Sequence, residues 1–170
     1  AGFDESITGN LQWHIEKRDL ATGALIGAFG TGGVVTENPS SNFNRVFAIT
    51  ADTSGIYMAG ADFIPGHLEW RMQKRDLYTG AIIWTQTSDP SATDDDCAFA
   101  ITADASGIYV AGWDRSLGDA KWRIEKRDLT TGALIGAFGT GGVVTSNPTT
   151  GSDVAYSITA DASGIYVAGI

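Results

Sequence analysis

Three stretches of this chain are near copies of one another, and self-similarity at a fixed period limits the fold more tightly than any local pattern. Trp13-His14-Ile15-Glu16-Lys17-Arg18-Asp19-Leu20 returns as Trp70-Arg71-Met72-Gln73-Lys74-Arg75-Asp76-Leu77 and as Trp122-Arg123-Ile124-Glu125-Lys126-Arg127-Asp128-Leu129. A second segment, Ala48–Gly60, recurs at Ala100–Gly112 and, with Ser for the first Ala, at Ser157–Gly169. The repeats run about 1–58, 59–110 and 111–170.

Within each copy the segments are short, rich in β-branched and aromatic residues, and punctuated by Gly and Asp, with no helical period. Four strands per unit are expected. Strand A is Ala-Ile-Thr-Ala, and strand B is Ile-Tyr-Val-Ala-Gly, joined by Asp-Ala-Ser-Gly. Strand C is Trp-Arg-Ile-Glu-Lys-Arg, and strand D is Ala-Leu-Ile or Ala-Ile-Ile-Trp, joined by Asp-Leu-Thr-Thr-Gly. In both turns Asp can accept bonds from the turn amides and Gly can take positive φ. Strand C alternates Trp122, Ile124 and Lys126 with Arg123, Glu125 and Arg127, which predicts one buried and one wet face near the outside of the sheet. Strand A, uncharged and small, is expected innermost and covered on both faces. Such units repeated by rotation describe an all-β fold, a β-propeller of four-stranded antiparallel blades. A parallel solenoid is the rival, but its coils are shorter than this period.

Ala-Gly closes strand B and also stands at Ala1-Gly2 and Ala168-Gly169, so the phasing predicts strands C and D first, two complete blades, and strands A and B last. Known propellers have about 4 to 8 blades, so three blade equivalents leave edges to be completed. Either a second copy pairs its half-blades with these, for six blades, or the chain is part of a longer one. The first residue, Ala1, favours a processed or excised segment, with any export signal upstream.

Phe29-Gly30-Thr31-Gly32-Gly33-Val34-Val35-Thr36, repeated at Phe138–Thr145, resembles the Phe-Gly-x-Gly-Gly core of the bacterial delta-sixty β-propeller repeat. Asp-x-Ser-Gly-Ile-Tyr-Val-Ala-Gly is similar to the repeat of bacterial surface propellers. These resemblances imply a propeller in an exported or cell-surface protein and carry little about ligand. The middle copy departs from the pattern. Its Asp76-Leu77-Tyr78-Thr79-Gly80-Ala81-Ile82-Ile83-Trp84 is similar to the blade motif of quinoprotein dehydrogenases, which implies pyrroloquinoline quinone as a cofactor. The vicinal cysteine pair of the alcohol dehydrogenases among them has no counterpart, since Cys97 stands alone.

Residues recurring in every copy are expected to be structural, because a unique site should break the repeat. On that ground Asp52, Asp104 and Asp161, like Asp19, Asp76 and Asp128, cap turns, and Trp13, Trp70 and Trp122 pack between blades. Trp84 and Trp113 are private to the middle unit, and Trp113-Asp114-Arg115 pairs an aromatic platform with hydrogen-bonding charges suited to a protein or a sugar ring. Trp84, Trp113, Asp114 and Arg115 are therefore the candidate contacts. Asp94-Asp95-Asp96 could offer oxygens to Ca²⁺, but adjacent carboxylates diverge and the matching loops, Asn42–Arg45 and Gly151–Val154, are not acidic clusters. The expectation is a solvated loop without metal. His14 and His67 have no ligand or catalytic spacing and read as surface residues, and Cys97 as a small buried one.

With 11 basic and 20 acidic residues the formal charge is −9, which repels phosphate backbones and argues against nucleic acid. No apolar run approaches the roughly 20 residues of a membrane-spanning helix. The sequence thus points to a non-catalytic structural or binding propeller without cofactor, presenting loops to a protein or glycan at the cell surface or outside the cell. A quinone-dependent dehydrogenase fragment is the alternative.

Overall fold

Each Asp-containing turn folds the chain back on itself. The computed structural model describes residues 1–7, 10–40, 43–64, 66–116 and 118–170 and holds thirteen strands and no helix among them. Four antiparallel sheets follow one another. The first orders β1 (Gly2–Ile7), β2 (Asn10–Glu16) and β3 (Val34–Glu37). The second orders β4 (Arg45–Asp52), β5 (Gly55–Ile64), β6 (His67–Arg75) and β7 (Ile82–Ser88). The third repeats this as β8 (Cys97–Asp104), β9 (Gly107–Asp114), β10 (Lys121–Arg127) and β11 (Val143–Ser146), and the last pairs β12 (Ala155–Asp161) with β13 (Gly164–Gly169).

Two boundaries differ from the sequence reading. The first sheet has three strands, because strand B runs on past Ala-Gly: β5 pairs with β6 as far as Ile64↔His67, and β1 is the matching second half. In the first and third copies the fourth strand is β3 or β11, beyond the Phe-Gly-Thr-Gly-Gly insert. Leu25 and Leu134 make only single bridges, to Arg18 and Arg127. Gly30 and Gly33, with φ of 57° and 97°, wind the insert into a loop that returns the chain to the sheet edge.

The turn chemistry is as expected. Asp52 Oδ1 accepts from the amides of Ser54 and Gly55, and Asp161 Oδ1 from Ser163 and Gly164. Asp19, Asp76 and Asp128 each accept from two turn amides and from the hydroxyl of Thr22, Thr79 or Thr131, which holds their carboxyls below the usual range.

A second regularity explains the recurring Ala-Gly. The first strands β4, β8 and β12 each carry a bulge, at Phe47, Phe99 and Tyr156, opposite Gly60, Gly112 and Gly169. The extra residue presses the bulged backbone onto its partner strand. A β-carbon at Gly60, Gly112 or Gly169 would overlap the carbonyl oxygen of Arg45, Cys97 or Val154. Gly2, with no first strand beside it, has nothing within 4 Å.

The sheets stack through their faces, with β4 against β8 and β8 against β12. Trp13 and Ile15 of the first sheet, with Phe29 from its β2–β3 loop, bury against Val46, Ile56 and Met58 of the second sheet. Tyr57, Trp70 and Met72 do the same against Ala98, Ile108 and Val110 of the third. Trp70 Nε1 donates to the Trp113 carbonyl and Trp122 Nε1 to that of Ile170, so these two tryptophans pin neighbouring sheets as well as fill the core. The most buried strands are β5 and β9, not the first strands, among which β8 lies between β4 and β12.

The expected wet face of strand C is dry in β10. Glu125 is fully buried, its carboxylate gripped by Arg123 at 2.8 Å and Arg127 at 2.6 Å, with Ser88 of the preceding sheet donating to it at 2.7 Å. In β6 the corresponding residue is Gln73, and the carboxylate comes from across the junction, where Glu37 pairs with Arg71 and Arg75 and accepts from Gln73. Only in β2, which no sheet precedes, does this face meet water, with Glu16 and Arg18 exposed. A neighbouring sheet, rather than strand C itself, decides whether the polar face is solvated.

Candidate functional site

The three bulges turn aromatic rings to one end of the stack. Phe47 and Phe99 lie 4.8 Å apart between centroids, and Phe99 and Tyr156 5.5 Å, so the rings form a continuous row across three sheets. Trp113, at the end of β9, meets Phe99 at 6.3 Å. Phe47, Phe99 and Trp113, together with Phe43, Arg45, Phe63 and Leu68, line a groove of about 430 Å³ between the second and third sheets, edged by Asp95 and Cys97. Its lining is mostly apolar with a few polar groups, the usual character of a binding cleft.

One cation faces this groove. The Arg45 guanidinium lies 5.3 Å from the Phe3 ring centroid and 5.6 Å from that of Phe43. Its Nε is buried without a hydrogen-bond partner among the described residues. Such a donor favours an occupant that brings an oxygen acceptor.

The four sequence candidates separate. Trp113 lines the groove, and Arg115 stacks on its ring at 4.4 Å from the centroid, so those two sit together at its rim. Asp114 points elsewhere. It is buried, accepts from Ser116 and pairs with Lys121 and Arg123. Burial raises its carboxyl, but Ser116 and Lys121 outweigh that and hold it below the usual range. Trp84 occupies a junction instead. It faces Tyr57 with centroids 6.4 Å apart, points Nε1 at the Leu129 carbonyl, and covers Gly132 of the next copy.

The acidic loop is not a uniformly solvated one. Asp96 is fully buried, accepting from the amides of Ser91 at 2.8 Å and Arg115 at 2.9 Å, while its own amide bonds Leu68. Asn44 and Asp153 are buried at the same place in the other copies, with amides bonded to Leu11 and Ala120. Asp96 is thus one of three staples that tie the entry of a first strand to the sheet before it. Asn42, in the matching loop, lies outside the described residues. Asp94 takes the Ser91 and Thr93 hydroxyls and Asp95 the Leu68 amide, so the three carboxylates diverge, and no metal-binding cluster occurs among the described residues. His67 is buried against Asp89 at 3.0 Å rather than on the surface, while His14 is half-exposed between Asp4 and Glu16. Cys97 is buried, which pushes its thiol up to about 11.

Burial, with Asp114 and Asp89 near, pushes Asp96 up to about 6, against the pull of its two amide donors. The folded chain therefore holds a proton that the unfolded chain releases near pH 4. Stability from this proton is complete below that value and is lost as pH rises through about 6, by roughly 2–3 kcal/mol. Asp96→Asn cannot titrate, so its melting temperature relative to the parent should rise between pH 4 and pH 6.5. A difference independent of pH would refute the assignment.

Phe47, Phe99 and Tyr156 lie outside the four candidate contacts, which are departures from the repeat. Their sequence signal is an aromatic residue recurring at one repeat position, in Val46-Phe47-Ala48, Ala98-Phe99-Ala100 and Ala155-Tyr156-Ser157. No family model and no curated protein matches the chain.

Proposed function

We propose that the chain forms blades of a β-propeller in an exported or cell-surface protein, non-catalytic and without cofactor, which binds a protein partner through the aromatic groove. The repeat of four-stranded sheets, with first strands side by side, supports the propeller, as does the resemblance to the delta-sixty and surface repeats. Blades beyond those of one chain come from a second copy or from further sequence. The acidic balance disfavours nucleic acid, and no helix among the described residues is long and apolar enough to cross a membrane.

The groove between β4–β6 and β8–β9 carries the binding reading. Its lining suits an apolar side chain delivered beside a carbonyl or carboxylate that Arg45 can bond. A sugar is less well served, since one face of Trp113 is already covered by Arg115 and few polar groups point inward. The quinoprotein reading remains the alternative, since its motif tryptophan is a packing residue there too, as Trp84 is here.

Anilinonaphthalene sulfonate, an aromatic ring with an oxygen anion, is the probe. It should bind the native protein at one site, and Phe43→Ala or Arg45→Gln should weaken it about tenfold or more without lowering the melting temperature. Unsaturable binding, or binding indifferent to both substitutions, would sink the groove. Pyrroloquinoline quinone with Ca²⁺ should leave the melting temperature unchanged, and a rise would favour the dehydrogenase.

A further inference from the structure

The two internal junctions obey one rule, and the outer faces of the chain satisfy it together. Each junction sets the last residue of a fourth strand against the middle of the next third strand, and each supplies one acid. The first pairs Glu37 with Gln73, and the second pairs Ser88 with Glu125, at 2.8 Å and 2.7 Å. By register the next residue in the first series is Ser146, which pairs with Trp122 as Ser88 does with Trp70, and it is exposed. The remaining residue in the second series is Glu16, also exposed. Serine against glutamate reproduces the second junction.

Other parts match in the same way. Lys17 donates to the Leu77 carbonyl and Lys74 to that of Leu129 in the following copy, and those leucines are partly covered. Among the described residues the Lys126 ammonium bonds only Ser106 of its own sheet, and Leu20, the corresponding leucine, is fully exposed. Phe29 is fully buried beneath Gly80 of the next turn, whereas Phe138 is only partly buried and Gly23 has nothing within 4 Å. Backbone is open too. β1 pairs with β2 up to His14, leaving Ile15 and Glu16 unpaired on that side, and β13 has a partner on one edge only.

We propose that a second copy of this chain docks head to tail. Its third and fourth sheets abut the first sheet of the other chain, Ser146 meets Glu16, Lys126 meets the Leu20 carbonyl, and β13 pairs with the open half of β2. The internal register β5–β6 puts Tyr166 opposite Lys17 and Ala168 opposite Ile15. Ala1–Phe3 and Ala168–Ile170 then claim one place, and the exposed chain start frays to give it up. Two such junctions close a ring. Closure rests on the propeller reading, whereas the junction does not.

Sedimentation equilibrium of the 170-residue chain tests it. The expected mass is twice 17.8 kDa. Ser146→Glu, which faces Glu16 with a like charge, should weaken association by roughly 100-fold or more while leaving the monomer's circular dichroism unchanged. Adding Glu16→Gln recreates the Glu37–Gln73 pair and should restore the dimer. A ladder of larger species, broken by Ser146→Glu and restored by Glu16→Gln, would uphold the junction and overturn the closed propeller. A monomer at about 100 μM, roughly a typical weak-binding limit, or a dimer indifferent to Ser146→Glu, would overturn the junction.

Discussion

Gly112→Ala is expected to destabilise the protein by about 3 kcal/mol or more, and Gly2→Ala by less than about 0.5 kcal/mol, although both glycines follow alanine in the same repeat position. At Gly112 the new methyl group enters the Cys97 carbonyl, because the bulge at Phe99 drives that backbone inward. Relief requires β8 to separate from β9 or the bulge to migrate, and either would break the ring contact between Phe47 and Phe99. At Gly2 there is only open space. For a chain of this size the shift in melting temperature should be roughly 6–12 °C against almost none, given about 2–4 °C per kcal/mol. Equal shifts would mean that the glycine is kept for backbone freedom rather than for close approach.

Glu125→Ala should cost about 3–5 kcal/mol in urea denaturation, the range for leaving a buried charge without its partner. Arg127, with its side chain only 4% exposed, then loses both bonds to the carboxylate, and Arg123 loses one. Glu16→Ala removes the same residue of the motif but at a face open to water, where Glu16 and Arg18 side chains are 33% and 52% exposed. Its cost should be small beside that of Glu125→Ala, because an exposed pair gains little in water. The comparison is best made at a concentration where the chain is monomeric. If Glu16→Ala proves as damaging there as Glu125→Ala, the pairing within one strand, and not the neighbouring sheet, sets the energy.

Both results turn on how identical residues differ by position, and the same distinction separates what could be read from the residues. The turn aspartates were legible because their bonds run to amides two and three residues on, within one segment. Trp13, Trp70 and Trp122 were legible as packing residues because large apolar groups recurring at one phase must be buried somewhere. Strand D was misplaced in two copies because Leu25-Ile26 and Val34-Val35 are equally good β formers. The glycines between them decide which pair reaches the sheet edge.

The candidate site was half legible. Trp113 and Arg115 stood out as departures from the repeat and do sit at the groove. Asp114 and Trp84 stood out equally and are occupied in structural contacts. Phe47 and Phe99 were hidden by their regularity. Their side chains turn to the groove end only because each occupies a bulge, and a bulge arises from pairing between two strands rather than from either alone.

From the sequence by itself came the all-β class and the repeating unit with its turns. Each follows from interactions between near neighbours or from periodicity. The tertiary structure alone decided which copy of a repeated residue is buried, where the fourth strand lies, and that the polar face of strand C is dry in β6 and β10 but wet in β2. Burial and desolvation belong to what stands opposite a residue, and Glu16 and Glu125 share a sequence context without sharing a neighbour.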